Sequence, residues 1–367
     1  LNPDFRRVAI IGVGLIGGSL GMSLCSRGLA GEIVGAGSRA ENLRLAVELG
    51  AINRYAESPE EGVAGADLVI IATPVGATIP VLQLILPYLA PGAVVTDVGS
   101  TKADIVAMAE CILPPDICFV GGHPMAGSEQ NGVRGADPYL FENAFYLITP
   151  TGKTNHKALE KVRKLAAGVG AKVVEMAPER HDLAVAAVSH LPHVLAASLV
   201  NTVARMPESE SILPIAAGGF RDTTRIAASS PLMWRDILIS NRGQVLKMIR
   251  NFKSELDIFI TAIEEGNTDS VQSNLEDART ARAGLPAKTK GYLPSLYEVI
   301  LTVPDKPGII AGFSACLAES KVNITDIEIL RVREGEGGTI RLGFATEQEQ
   351  ENAILTLRAK GYPVRKR

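Results

Sequence analysis

Several stretches of the chain carry residue types at spacings that could do chemistry. The first is Gly12-Val13-Gly14-Leu15-Ile16-Gly17, which follows the apolar run Val8–Ile11 and opens the helical run Gly18–Arg27. In a strand–loop–helix unit the first glycine permits a tight turn and the second lets the backbone approach a pyrophosphate. The third allows close helix–strand packing, and the helix N-terminus faces the phosphate charge. Gly12, Gly14 and Gly17, with Leu15 and Ile16 between them, are therefore the expected dinucleotide contact. An acidic residue about twenty positions beyond the glycines would bind the ribose hydroxyls of NAD. Here that point reads Gly35-Ala36-Gly37-Ser38-Arg39, without an acid. A small residue followed by Ser38 and Arg39 suits a 2′-phosphate with a guanidinium counter-charge. NADP is favoured, NAD stays open, and a solvated loop arginine is the plain alternative.

On sheets of this kind, ligands lie beyond the C-terminal ends of the strands. Thr73-Pro74 ends one strand and joins the expected cofactor contact. Asp97-Val98-Gly99-Ser100-Thr101-Lys102 and Gly121-Gly122-His123-Pro124 end two others and set a hydroxyl and an imidazole beside the expected nicotinamide. A neutral imidazole can accept a proton or a hydrogen bond from a substrate hydroxyl, provided a second group fixes its tautomer. Ser100 is the expected second group; a structural histidine is the bland alternative. Further along, Ser189-His190-Leu191-Pro192-His193 lies on an apolar helix, where either histidine could be a satisfied core residue. Gly218-Gly219-Phe220-Arg221-Asp222-Thr223-Thr224-Arg225 reads as a tight loop presenting Arg225 to a carboxylate, or as a solvated charged face.

These residues need a scaffold, and the pattern supplies one. Short apolar runs alternate with helical stretches through the first 150 residues, the signature of a parallel sheet wrapped by helices. The expected strands are Arg7–Ile11, Glu32–Ala36, Leu68–Thr73, Ala93–Val98, Cys118–Gly121, Ala144–Thr149 and, after the helix Thr154–Gly168, Lys172–Met176. From Pro178 the strands give way to amphipathic stretches, Glu179 to about Ala204, Pro231–Glu265 and Asp269–Ala283. Pro231–Glu265 carries an apolar stripe from Trp234 to Ile263 that suits either a second subunit or its own domain's core. Ala283–Pro294 reads as a linker, and the remainder follows the β-α-β-β-α-β order of a ferredoxin-like module. The expected division is a Rossmann-type domain over 1–177, an all-α domain over 178–285, a linker over 286–296 and a small α+β domain over 297–367.

Composition removes other classes. Lys+Arg 37 against Asp+Glu 40 gives a net charge of −3, and aromatics are 5%, which leaves no basic or stacking surface for nucleic acid and no basic excess for a membrane. Cys25, Cys111, Cys118 and Cys316 show no CxxC spacing and read as reduced thiols of a cytoplasmic protein, with no metal site. No apolar run is read as long enough to span a bilayer, and the N-terminus lacks a secretion signal. Because the chain begins at Leu1 rather than Met, a few leading residues are expected to be missing.

With GVGLIGGS, DVGSTK, GGHPMAGSE, SHLPH, GGFRDTTRIA and MWRDI in order over about residues 6–285, the chain resembles the prephenate/arogenate dehydrogenases of tyrosine biosynthesis. The resemblance implies oxidative decarboxylation of prephenate to 4-hydroxyphenylpyruvate with hydride transfer to NAD(P), or of arogenate to tyrosine. It implies that His123 bonds the ring hydroxyl with Ser100 in support and that Arg225 holds a substrate carboxylate. By the same match His193 orients the substrate, Glu129 is a nearby acid, and Asp222 and Trp234 lie near the site or the dimer contact. The family's helical domains intertwine into a homodimer. Gly37-Ser38-Arg39 departs from the aspartate that many members carry. The C-terminal module resembles an ACT domain through Val303–Gly308 and Val322-Asn323-Ile324. That implies an effector amino acid, tyrosine as the expected feedback inhibitor, held by Asp305, Gly308, Asn323 and Ile324. A structural dimerisation module is the alternative there. A 3-hydroxyacid or imine reductase of similar layout would use a lysine or another proton donor. A catalytically silent regulator would not need Ser100, His123 and Arg225 together.

Overall fold

A computed structural model describes residues 3–127, 132–284, 297–304, 306–330 and 338–366. They belong to two compact units, Leu1–Gly284 and Leu285–Arg367. The first opens β1 (Phe5–Ile11), α1 (Leu15–Ser26), β2 (Ala30–Ala36), α2 (Ala40–Glu48), β3 (Arg54–Tyr55), α3 (Pro59–Val63), β4 (Leu68–Ile71) and α4 (Thr78–Ile85). It continues β5 (Val94–Asp97), α5 (Ala103–Ile112), β6 (Cys118–Pro124), β7 (Phe145–Thr149), α6 (His156–Gly168) and β8 (Lys172–Glu175). The strands form one sheet in the order β3-β2-β1-β4-β5-β6-β7-β8. Val8, Ile10, Val69 and Ile70 are fully buried because helices cover both faces, which is why these strands read as unbroken apolar runs.

Two local expectations change. The sheet is not wholly parallel: β7 pairs antiparallel with β6, because among the described residues only a short 3₁₀ turn at Val133–Gly135 intervenes and no crossover helix reverses the chain. β6 also runs past Gly121 through His123, which pairs with Leu147, so the imidazole stands on a strand end rather than on a free loop.

The helical part comprises α7 (Pro178–Val185), α8 (Leu191–Ala204), α9 (Ser209–Ile212), α10 (Gly218–Thr224), α11 (Pro231–Ser240), α12 (Arg242–Glu264) and α13 (Thr268–Ala283). A π turn, Ala186–His190, joins α7 to α8 just before Pro192, whose missing N–H and ring displace the regular bonding. Pro178–Ala204 is 27 residues and contains an 18-residue window with a mean hydropathy of 1.7, long and apolar enough to cross a membrane by length and composition, which corrects the expectation that no run reaches that length. It nevertheless buries His181, Asp182, His190 and His193 within the fold. The expected helix Pro231–Glu265 breaks at Asn241 into α11 and α12. Gly218–Thr224 is helical rather than a loop, closed by Arg221 Nε on the Ala216 carbonyl at 3.0 Å and Thr224 Oγ1 on the Phe220 carbonyl at 2.7 Å.

The second unit comprises β9 (Tyr297–Val303), α14 (Ile309–Glu319), β10 (Asp326–Leu330), β11 (Gly338–Phe344), α15 (Glu347–Ala359) and β12 (Val364–Lys366). Its antiparallel sheet has the order β10-β11-β9-β12, the expected ferredoxin-like arrangement, over a core of Val299, Leu301, Phe313, Leu317, Leu342, Phe344 and Leu357. The expected linker 286–296 lies outside the described residues.

Candidate active site

The glycine loop has the shape its sequence requires. Gly12 adopts φ +97°, and a Cβ there would lie 2.6 Å from the Ala72 carbonyl. A Cβ on Gly17 would collide with the Gly12 carbonyl, so helix and loop touch backbone to backbone. A Cβ on Gly14 would meet nothing within 4 Å, which leaves its main chain approachable, and the first N–H groups of α1 have no side-chain cap. Beside the loop, the Thr73 hydroxyl is buried without a partner. An open glycine backbone, uncapped helix N–H groups and an orphan hydroxyl fit a dinucleotide pyrophosphate. Ser38 and Arg39 are exposed at the end of β2, and Arg39 forms no ion pair among the described residues.

At the other end of the site three side chains form a hydrogen-bonded line. His123 Nδ1 lies 2.8 Å from His181 Nε2, and His181 Nδ1 lies 2.8 Å from Asp182 Oδ1. Asp182 caps the start of α5: Oδ1 accepts from Lys102 N at 2.7 Å and Oδ2 from Ala103 N at 2.9 Å. Both oxygens are thus engaged as acceptors, which sets the polarity of the line. His181 donates from Nδ1, its Nε2 accepts, His123 donates from Nδ1, and His123 Nε2 is left with a lone pair. An imidazole in that tautomer can accept a substrate hydroxyl. The tautomer is fixed by His181; no hydrogen bond joins Ser100 to His123 among the described residues. Ser100 precedes Thr101, whose hydroxyl lies 2.6 Å from that of Ser240, and this contact ties the β5–α5 loop to the end of α11.

Electrostatics keep the imidazoles neutral. Burial, then His181, Lys102 and His190, push His123 well below the ordinary histidine value. Burial lowers His181 while Asp182 pulls it back up, and burial pushes His190 down to about 4. Beneath them Lys102 and Asp97 form an ion pair with both side chains fully buried.

The helical elements bring the remaining residues in. Asn241, at the break between α11 and α12, donates to the Asp182 carbonyl at 2.8 Å and lies 3.2 Å from His190 Nδ1. His193 stacks on Trp234 with ring centroids 3.6 Å apart and 9° between planes, and its Nδ1 is buried without a partner. A cavity of about 500 Å³ opens beside this stack. The 3₁₀ turn Arg225–Ala228 packs on α8, which carries His193; Arg225 and Asp222 are exposed. Glu129 and Asp305 lie outside the described residues. Sequence reasoning quoted Asp97 and Lys102 within their motif without giving them a role, and missed His181, Asp182 and Asn241. The adjacent His181-Asp182 pair at the start of a helix was the available signal.

Three family profiles cover the chain: prephenate dehydrogenase, nucleotide-binding domain, over residues 20–175; prephenate dehydrogenase, dimerization domain, over 177–277; and ACT domain over 297–358. Rossmann sheet, glycine cradle and buried imidazole line thus belong to a nicotinamide-dependent dehydrogenase. The chain is 40% identical to prephenate dehydrogenase of Bacillus subtilis (strain 168) over 98% of both chains. Prephenate dehydrogenase from A. aeolicus, solved with hydroxyphenyl propionate and NAD+, matches with a TM-score of 0.71 at 37% identity, covering 76% of this chain and 97% of that one. Synechocystis arogenate dehydrogenase matches at 0.67 and 30%, covering 76% and 99%. The chain belongs to the prephenate dehydrogenase family.

Proposed function

We propose that the protein oxidatively decarboxylates prephenate to 4-hydroxyphenylpyruvate. The observation that carries this reading is the polarity of the line Asp182–His181–His123, which leaves an accepting nitrogen on His123 at the end of β6. Hydride leaves the hydroxyl-bearing ring carbon, the opposite ring carbon loses CO2, and the bonding pair left behind completes an aromatic ring. The hydroxyl hydrogen is retained in the phenol, so His123 acts by accepting a hydrogen bond while positive charge builds on that oxygen. A positioned group of this kind contributes about 10²–10⁴-fold. Gly12, Gly14, Leu15, Ile16, Gly17, Thr73 and Pro74 would hold the dinucleotide, whose oxidised nicotinamide would supply the hydride acceptor.

Around this centre Arg225 holds a substrate carboxylate, His193 orients the substrate against Trp234, Ser100 is the further catalytic candidate, and Glu129 and Asp222 are the further substrate-binding candidates. Ser38 and Arg39 receive a 2′-phosphate, so NADP is preferred. Ile239, Leu246, Leu256, Ile260 and Ile263, exposed on α11 and α12, support a homodimer through the helical domain. In the ACT unit, Gly308 caps α14 at φ +85°, and Asn323 and Ile324 lead into β10; tyrosine is the proposed effector there, with Asp305. Arogenate is the second reading, favoured by the match to the Synechocystis enzyme. The test is a grid of prephenate and arogenate against NAD and NADP, followed by the absorbance of the reduced nicotinamide. Turnover with neither substrate would overturn the function, and His123→Asn retaining more than about a tenth of kcat would overturn the role of His123.

A further inference from the structure

Lys102 sits at the start of α5, and both its ends are committed. Its side chain is fully buried and passes behind β6, where a Cβ on Gly121 would lie 3.2 Å from Lys102 Cδ. The ammonium pairs with Asp97 Oδ2. Asp97 Oδ1 in turn accepts from Gly122 N at 3.2 Å, the residue before His123, and Oδ2 accepts from Gly99 N at 2.9 Å, the residue before Ser100. The main-chain N–H of Lys102 donates to Asp182 Oδ1 at 2.7 Å, the oxygen that also receives His181 Nδ1. One residue therefore holds the peptide leading into His123 and the far end of its hydrogen-bonded line.

We propose that Lys102 is a positioning residue for the reaction, fixing His123 from two directions and setting a positive charge behind it. The proposal rests on the reading of His123 as the hydroxyl acceptor. The groups that act on His123 are His181 from α7, Lys102 from the start of α5 and His190 from the π turn; Asp182 and Asp97 act on His181 behind it, and Tyr146 on β7 is coupled to Asp97. The histidines are kept neutral by burial, and Lys102, paired with Asp97, is the remaining basic group behind His123. Its field opposes protonation of the imidazole, and a protonated imidazole could not accept the hydroxyl. Burial pulls the ammonium toward neutrality, and Asp97 opposes that, so the pair works as a unit.

The test removes the charge and reads His123 directly. The chain has five histidines, few enough for an NMR titration of every imidazole, with His123→Asn giving the assignment. In Lys102→Met, His123 should protonate about one pH unit or more above its wild-type midpoint. The acid limb of kcat/KM should move by the same amount. Because Lys102→Met leaves Asp97 buried and unpaired, which is strongly destabilising, Asp97→Asn/Lys102→Met is run beside it. This double variant should keep the fold and still show an upward shift. An unmoved His123 midpoint in whichever of the two variants folds would overturn the proposal. Failure of the acceptor reading appears separately, as a His123→Asn enzyme that keeps its activity, and leaves the imidazole titration as a valid measure of Lys102.

Discussion

Replacing His181 by leucine isolates what the hydrogen-bonded line does for catalysis. The side chains have similar volume and His181 is fully buried, so the packing change is small while both hydrogen bonds of His181 are lost. His123 can then keep its proton on Nδ1, where it is a buried donor with no partner, or move it to Nε2, where it faces the substrate. An unsatisfied buried donor costs about 1–3 kcal/mol, so the productive tautomer falls in population by that free energy. At about 1.36 kcal/mol per tenfold, kcat should drop about 5- to 150-fold. Asp182 keeps its two main-chain donors, and the glycine loop is untouched, so cofactor affinity should stay within about twofold. Steady-state kinetics at the pH plateau measure kcat, and the nitrogen chemical shifts of His123 report which nitrogen carries the proton. The loss should be smaller than that of His123→Asn, which removes the acceptor altogether. A folded His181→Leu enzyme with kcat within about threefold of wild type would refute the argument that the line fixes the tautomer.

Arg225→Ala should raise KM for the substrate by about tenfold or more while leaving cofactor binding alone, since charged hydrogen bonds to carboxylates are among the stronger ones; an unchanged KM would assign the carboxylate to another cation. Arg39→Ala should weaken NADP by about tenfold and NAD little, measured by cofactor titration, and an equal loss for both would remove the 2′-phosphate assignment. Stability should fall with acidification. His123, His181, His190 and His193 all have folded values below the ordinary histidine value of 6.5, so the unfolded chain takes up protons first as pH drops. Their contribution is complete above about 6.5 and is lost as pH falls from there toward about 4, the value for His190, at about 1.4 kcal/mol per pH unit for each histidine still neutral in the fold. Thermal melting at pH 7, 6 and 5 checks this, and a melting temperature that is flat over that range would contradict it.

What could be read from the sequence follows from where the signal lies. The glycine cradle is local, with its turn, its approach and its packing contact all inside six consecutive residues, so Gly12 to Gly17 were legible at once. The ACT unit was legible for a similar reason: each of its elements is a short run with its own period. The break at Asn241 was not, because the three-and-four spacing of apolar residues continues across it, and a single residue out of phase leaves the stripe intact. The reversal of β7 was hidden too, since an apolar run has no direction and only the connection before it sets the pairing.

The catalytic line shows a different limit. His123 was visible because Gly-Gly-His-Pro at the end of a strand is unusual chemistry for a turn. Its partner His181 lies 58 positions further on, in the charged first helix of the helical part, where a histidine followed by an aspartate reads as helix-start polarity. Only the fold reveals that this aspartate caps α5 from outside, and that the cap forces the direction of every proton behind it. The same geometry explains why the sheet and the helical part meet here. A Rossmann sheet can present a cofactor and an imidazole, but nothing on β5 or β6 offers an acceptor to the inner nitrogen of His123. α7 supplies that acceptor, Asn241 at the α11–α12 break secures α7 through the Asp182 carbonyl, and Ser240 beside it bonds to Thr101 on the sheet side. The helical domain therefore sets the protonation pattern of the site as well as its outer wall.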